Sequence, residues 1–93
     1  MSINHYKKSI SSGILYASGT VKDEEGWLNG AIMTGGGADS KVILYDSEDS
    51  DLGDKTAVGF ISYSVPLFDF AVHCTEGIYA EASGGAEFMV LYD

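Results

Sequence analysis

The sequence contains no arginine, one cysteine (Cys74) and one proline (Pro66). Five lysines stand against fourteen aspartates and glutamates, for a formal net charge of −9. That balance argues against a nucleic-acid binder, which needs basic groups to displace counterions from phosphates. It argues equally against a peripheral membrane protein, because anionic lipid attracts basic segments. No apolar run approaches the roughly 18–20 residues of a membrane-spanning helix. A single cysteine cannot staple a secreted mini-protein. The opening residues, Met1 to Lys8, lack the apolar stretch of a secretory signal, so assembly in a reducing cytoplasm is expected.

What is present is a core. Hydrophobic residues make up 45 % of the 93 positions, too many for a disordered chain. The length fits one small domain that buries about 60–70 % of its unfolded surface. No stretch shows a helical apolar face uninterrupted by glycine. The pattern is that of short strands between Gly, Asp and Ser clusters. It predicts strands over Tyr6–Ile10, Ile14–Ser18, Trp27–Thr34, Lys41–Asp46, Lys55–Val65, Ile78–Ser83 and Glu87–Tyr92. A further segment follows Pro66, with Phe68, Phe70 and Val72 in phase. Gly19 to Gly26 is polar, and Asp23-Glu24-Glu25-Gly26 reads as a turn.

Three punctuation marks are informative. Gly30, between Leu28 and Ile32 on one expected face, marks a bulge or a close backbone approach. Pro66 marks a strand boundary, since the alternation changes phase there. Gly84-Gly85 reads as the turn of a hairpin joining the last two strands. The expected fold is all-β: a compact β-sandwich, jelly-roll or Greek-key-like, of seven or eight short antiparallel strands. Residues 1–12 form an amino-terminal arm or first strand, and residues 13–93 a single domain. Phe60, Phe68, Phe70 and Phe88 are the expected aromatic core. Val42–Asp46 and Met89–Asp93 echo each other, which strand composition alone can produce.

Chemistry is sparse. His73 and Cys74 are adjacent, and adjacent strand residues point to opposite faces, so they form no dyad. Gly35-Gly36-Gly37 lacks the lysine and helix of a phosphate cradle. The acidic loop offers oxygen ligands for calcium in Asp46, Glu48, Asp49, Asp51 and Asp54, without an EF-hand frame. A solvated loop is the plainer reading. No catalytic residue and no cofactor is expected. Tyrosine and tryptophan are enriched at protein interfaces, which makes Tyr6, Tyr16, Trp27 and Tyr45 interface candidates. The basic pair Lys7-Lys8 joins them, on an arm able to add to a neighbour's sheet. Trp27 with Asn29 is the one pair suited to a carbohydrate.

The order of the pieces carries a resemblance. Gly26-Trp27-Leu28-Asn29-Gly30-Ala31-Ile32 opens one strand, and a Val-x-Leu-Tyr-Asp strand follows at Val42 to Asp46. Pro66-Leu67-Phe68 comes next. Gly77 to Asp93 then closes with Gly-Ile-Tyr, a Ser-Gly turn and a Val-x-Tyr ending. Over about residues 13 to 93 this resembles small β-rich virion proteins of tailed bacteriophages. The resemblance implies a head decoration, or cement, protein without an active site. Such a protein binds the major capsid protein or other virion subunits on the outer face of the head. It staples neighbouring subunits and often works as a homo-oligomer, a trimer being one arrangement. The alternatives are a neck or tail position and a carbohydrate-contacting module.

Overall fold

A computed structural model describes residues 9–93, so Tyr6, Lys7 and Lys8 lie outside the described residues. Nine strands follow in order: β1 (Ile10–Ser11), β2 (Gly19–Lys22), β3 (Gly26–Gly35), β4 (Lys41–Asp46), β5 (Thr56–Ser62), β6 (Leu67–Phe68), β7 (Val72–Cys74), β8 (Ile78–Ser83) and β9 (Glu87–Tyr92). They form two antiparallel sheets. Sheet A runs β1-β9-β3-β6, with β7 also on β3; sheet B runs β2-β8-β4-β5.

Strands β6 and β7 act as one interrupted strand. Leu67 and Phe68 pair with Ile32 and Ala31, and Val72 to Cys74 pair with Leu28 to Gly26. Counted so, the pairs nest: β1 with β9, β2 with β8, β3 with β6–β7, and β4 with β5. A chain doubled at the β4–β5 hairpin and then rolled gives this order, which is that of a jelly roll. Among the described residues, β4–β5 is the one adjacent pair of strands joined as a hairpin.

The expected hairpin of β8 and β9 is therefore corrected. Both strands have the expected bounds, but β8 lies in sheet B and β9 in sheet A. Gly84 (φ 69°) and Gly85 (φ 73°) carry the chain between sheets. A Cβ on Gly84 would stand 2.1 Å from the Asp39 carbonyl oxygen, so the arch is packed against the β3–β4 loop. Local sequence records that a chain turns there, and not whether it returns to the same sheet.

The core fills the space between the sheets with Leu28, Ala31, Val42, Leu44, Ile61, Cys74, Ile78, Ala80, Ala86, Phe88 and Val90. Each large member contributes about 1.5–3 kcal/mol by leaving water. Strand alternation holds in β4, where Val42 and Leu44 are buried and Ile43 and Tyr45 are half-buried. In β3 it slips. Leu28 pairs with Tyr92 but Gly30 with Leu91, so Asn29 is the extra residue of a bulge. Beyond it Ala31 faces the core and Ile32 faces out, contrary to the expected sharing of a face by Leu28 and Ile32. Gly30 does both things a strand glycine can do. A Cβ there would also meet the Phe68 carbonyl oxygen at 2.9 Å.

Other expectations shift at the edges. Residues 19–22, in a stretch given no strand, form β2; Thr20 pairs with Tyr79 and Val21 packs on the core, and the turn read at Asp23 to Gly26 begins where β2 ends. The segment 14–18 is not a strand. Gly13 (φ 74°) breaks it, leaving a single bridge of Leu15 to Phe88. Strand β5 stops at Ser62, where Ser62 and Val65 exchange backbone hydrogen bonds, so Tyr63 and Val65 point to solvent. Pro66 lies at the boundary before β6, as expected. Of the four phenylalanines, Phe88 is buried and Phe68 packs partly on the core, whereas Phe60 and Phe70 are exposed. Ile10 to Ser12 pair with β9 of their own chain, so this part of the arm is already in a sheet. The echo does not repeat in space: Ile43 faces out, and its counterpart Val90 faces in.

Candidate docking end

The two ends of the sandwich differ in charge. At one end lie the β2–β3, β4–β5 and β7–β8 loops. They hold Asp23, Glu24 and Glu25, then Glu48, Asp49, Asp51 and Asp54, then Glu76. At the other end lie residues 12–18, 36–40, 63–66 and 84–86. Asp39 is the only charged residue among them. Ile14, Tyr16, Tyr63 and Val65 are exposed there.

The uncharged end is held rigid. Ser40 is buried; its hydroxyl donates to the Gly84 carbonyl at 2.6 Å and accepts from the Gly37 amide at 2.9 Å. Its own carbonyl accepts from the Tyr63 amide at 3.1 Å. One serine thus ties three of the four loops. The fourth is fixed by Leu15 and Phe88, which exchange backbone hydrogen bonds, and by the Ser18 hydroxyl, which accepts from the Ala82 amide at 2.8 Å. A surface built this way loses little entropy on binding. Ser40→Ala would remove the hydroxyl that ties the Gly84 carbonyl to the Gly37 amide, both on exposed loops. It is expected to cost about 0.5–1.5 kcal/mol in urea unfolding.

The acidic end has its own tie. The Asp46 carboxylate accepts from the Thr75 amide at 2.9 Å, the Thr75 hydroxyl at 3.1 Å, the Glu76 amide at 2.8 Å and the Gly77 amide at 3.4 Å. Burial pushes its carboxyl up, but these donors outweigh it and hold the group below the usual carboxylate range. Asp46 is therefore committed to backbone. In the same loop, Asp49 Oδ1 accepts from the Asp51 amide at 3.0 Å. The five acids read as calcium candidates are not brought together. Among the described residues, no three His, Cys, Asp or Glu side chains group as metal ligands.

The remaining candidates are scattered. Tyr16, 69 % exposed, stands on the uncharged end. Trp27 lies on the outer face of sheet A near the acidic end. Its ring centroid is 5.0 Å from that of His73, which pairs with Glu25 at 2.6 Å. The Asn29 amide donates to Ser9 at 3.0 Å and is not left free beside Trp27 for a sugar. Tyr45 lies on the outer face of sheet B, its hydroxyl donating to Glu81 at 3.4 Å. His73 points out and Cys74 in, as alternation requires. Burial first, and then the Asp46 carboxylate, push the Cys74 thiol up to about 11, which keeps it a thiol.

The chain matches no family model, no curated protein and no solved structure.

Sequence reasoning missed Ile14, Tyr63 and Val65. A signal for them is in the charge spacing. The acids are bunched, leaving residues 9–21, 26–38 and 56–68 free of charge. Each of those runs reaches the uncharged end, and together they carry all three missed residues.

Proposed function

We propose that this chain is a non-enzymatic virion structural protein of a tailed bacteriophage, of the capsid decoration type. It is assembled in the host cytoplasm and works as a homo-oligomer on the outer face of the head. There it staples neighbouring subunits of the major capsid protein. The observation that carries the reading is the division of charge between the two ends. The uncharged, rigid end with its exposed Tyr16, Tyr63 and Val65 meets the protein lattice. Burial of such aromatic and aliphatic groups, not charge, supplies the adhesion. The acidic end faces solvent, where it keeps decorated particles apart.

Three further points support this orientation. A chain of net charge −9 is repelled by packaged DNA, which favours the outside of the shell. A small domain gains stability from each partner it binds. The buried, protonated Cys74 and the Glu25-paired His73 offer no nucleophile and base facing each other.

The test mixes purified protein with empty phage heads and images them. Density at regular lattice positions is expected, and its absence would overturn the proposal. Density at one vertex alone would move the protein to the neck or tail. Val65→Glu places a charge in the docking surface and should weaken lattice binding at least about tenfold. Glu48→Gln, at the opposite end, should leave binding unchanged.

A further inference from the structure

The four loops of the uncharged end carry a single charge, Asp39. It sits in the tight turn Gly37 to Ser40, within the loop that crosses from β3 in sheet A to β4 in sheet B. The turn is closed twice. The Ser40 amide donates to the Gly37 carbonyl at 2.9 Å, and the Gly37 amide donates to the Ser40 hydroxyl at 2.9 Å. The Asp39 carbonyl is itself packed against Gly84. The backbone that presents the carboxylate is therefore fixed.

The carboxylate itself is uncommitted. Asp39 is exposed, and among the described residues no hydrogen bond or ion pair reaches its side chain. Lys41, two residues on, lies in β4 between Ser62 and Ser83 and makes no ion pair with it. Asp46, by contrast, spends its oxygens on four donors of its own chain. Both Asp39 oxygens remain for a partner. An aromatic ring stands beside them. The Tyr63 amide donates to the Ser40 carbonyl at 3.1 Å, which seats Tyr63, 55 % exposed, against the residue that follows Asp39.

A carboxylate taken out of water without a counter-charge opposes the contact that buries it. Docking of this end therefore needs a cation opposite Asp39. Two free oxygens in a fixed place, with an open aromatic face nearby, fit one side chain above others. A guanidinium offers parallel N–H donors to both oxygens of a carboxylate and stacks on aromatic faces. An ammonium brings a point charge without the fork.

Resting on that docking, we infer that Asp39 and Tyr63 receive an arginine side chain of the docking partner. This chain contains no arginine, so the guanidinium comes from a different protein and not from a second copy. The apolar groups around Asp39 supply adhesion. The one charge supplies register, because it is satisfied in a single place on the partner.

Binding of Asp39→Asn to empty phage heads tests it. Asparagine suits the same turn and keeps the shape of the side chain. Its urea midpoint should equal the wild-type value, and its lattice binding should be weaker by roughly thirtyfold or more, since the partner's arginine is left without its counter-charge. Phenylglyoxal, which modifies arginine, can then be applied to the heads alone. Treated heads should bind the wild-type chain no better than Asp39→Asn, and should bind Asp39→Asn as untreated heads do. Unchanged or tighter binding by Asp39→Asn would overturn the inference. So would wild-type binding that survives phenylglyoxal, which would hand the role to a lysine or a neutral donor. A lowered urea midpoint would show the carboxylate committed within its own chain and would overturn it as well. In each of these cases docking stands if wild-type binds and Val65→Glu does not. Heads that bind no wild-type protein would overturn both.

Discussion

Phe88→Ala should lower the unfolding free energy by about 3–5 kcal/mol, while Phe70→Ala should change it by less than about 0.5 kcal/mol. Phe88 is fully buried between the sheets. Its backbone also exchanges both hydrogen bonds with Leu15 across the edge of sheet A. Truncation would leave a cavity walled by strands paired on both sides, which cannot collapse to fill it. Phe70 sits in the break between β6 and β7, 69 % exposed, with its ring 5.5 Å from Phe68. Small domains have only about 5–15 kcal/mol in all, so the first change removes a large share. Urea midpoints with a common slope measure both. Equal losses at the two positions would contradict the burial pattern.

That contrast shows where the sequence was legible. Strands β4, β8 and β9 have the bounds that alternation predicts, because each lies inside a sheet with one buried face. Period-two patterning exists only where one face is buried. At the edges it fails. β2 has four residues, three of them half-buried, and β1 two exposed ones, so both are too short for alternation to set them apart from a loop. The phenylalanines failed for a related reason. Phe60 and Phe70 lie in apolar runs, but one is on the outer face of an edge strand and the other in an interruption. Whether an apolar run faces a partner sheet is decided by pairings remote in sequence. The same remoteness hid the sheet change at Gly84-Gly85. The uncharged end was hidden differently. Its four loops are spread from residue 12 to residue 86, and only the jelly-roll order gathers them.

Asp46→Ala should cost about 2–3 kcal/mol at neutral pH, and that cost should fade in acid. The carboxylate takes four donors from three consecutive residues, Thr75, Glu76 and Gly77. It thereby fastens the β7–β8 connection, which crosses from sheet A to sheet B, to the end of β4. Its carboxyl lies below the usual range in the folded chain. The unfolded chain then binds the proton more readily than the folded one. The contribution is fully present above the unfolded value of about 3.9 and is lost as pH falls through the lower folded value. Wild-type and Asp46→Ala stabilities should therefore converge below about pH 4. Urea unfolding from neutral pH into that range checks it. A gap unchanged with pH would mean that the carboxylate charge is not what holds the connection. Ser40 does the corresponding work at the other end with a neutral hydroxyl, so Ser40→Ala should show no such convergence. The two ends would then differ in what fastens them as they do in charge: a carboxylate at the acidic end, a hydroxyl at the uncharged end.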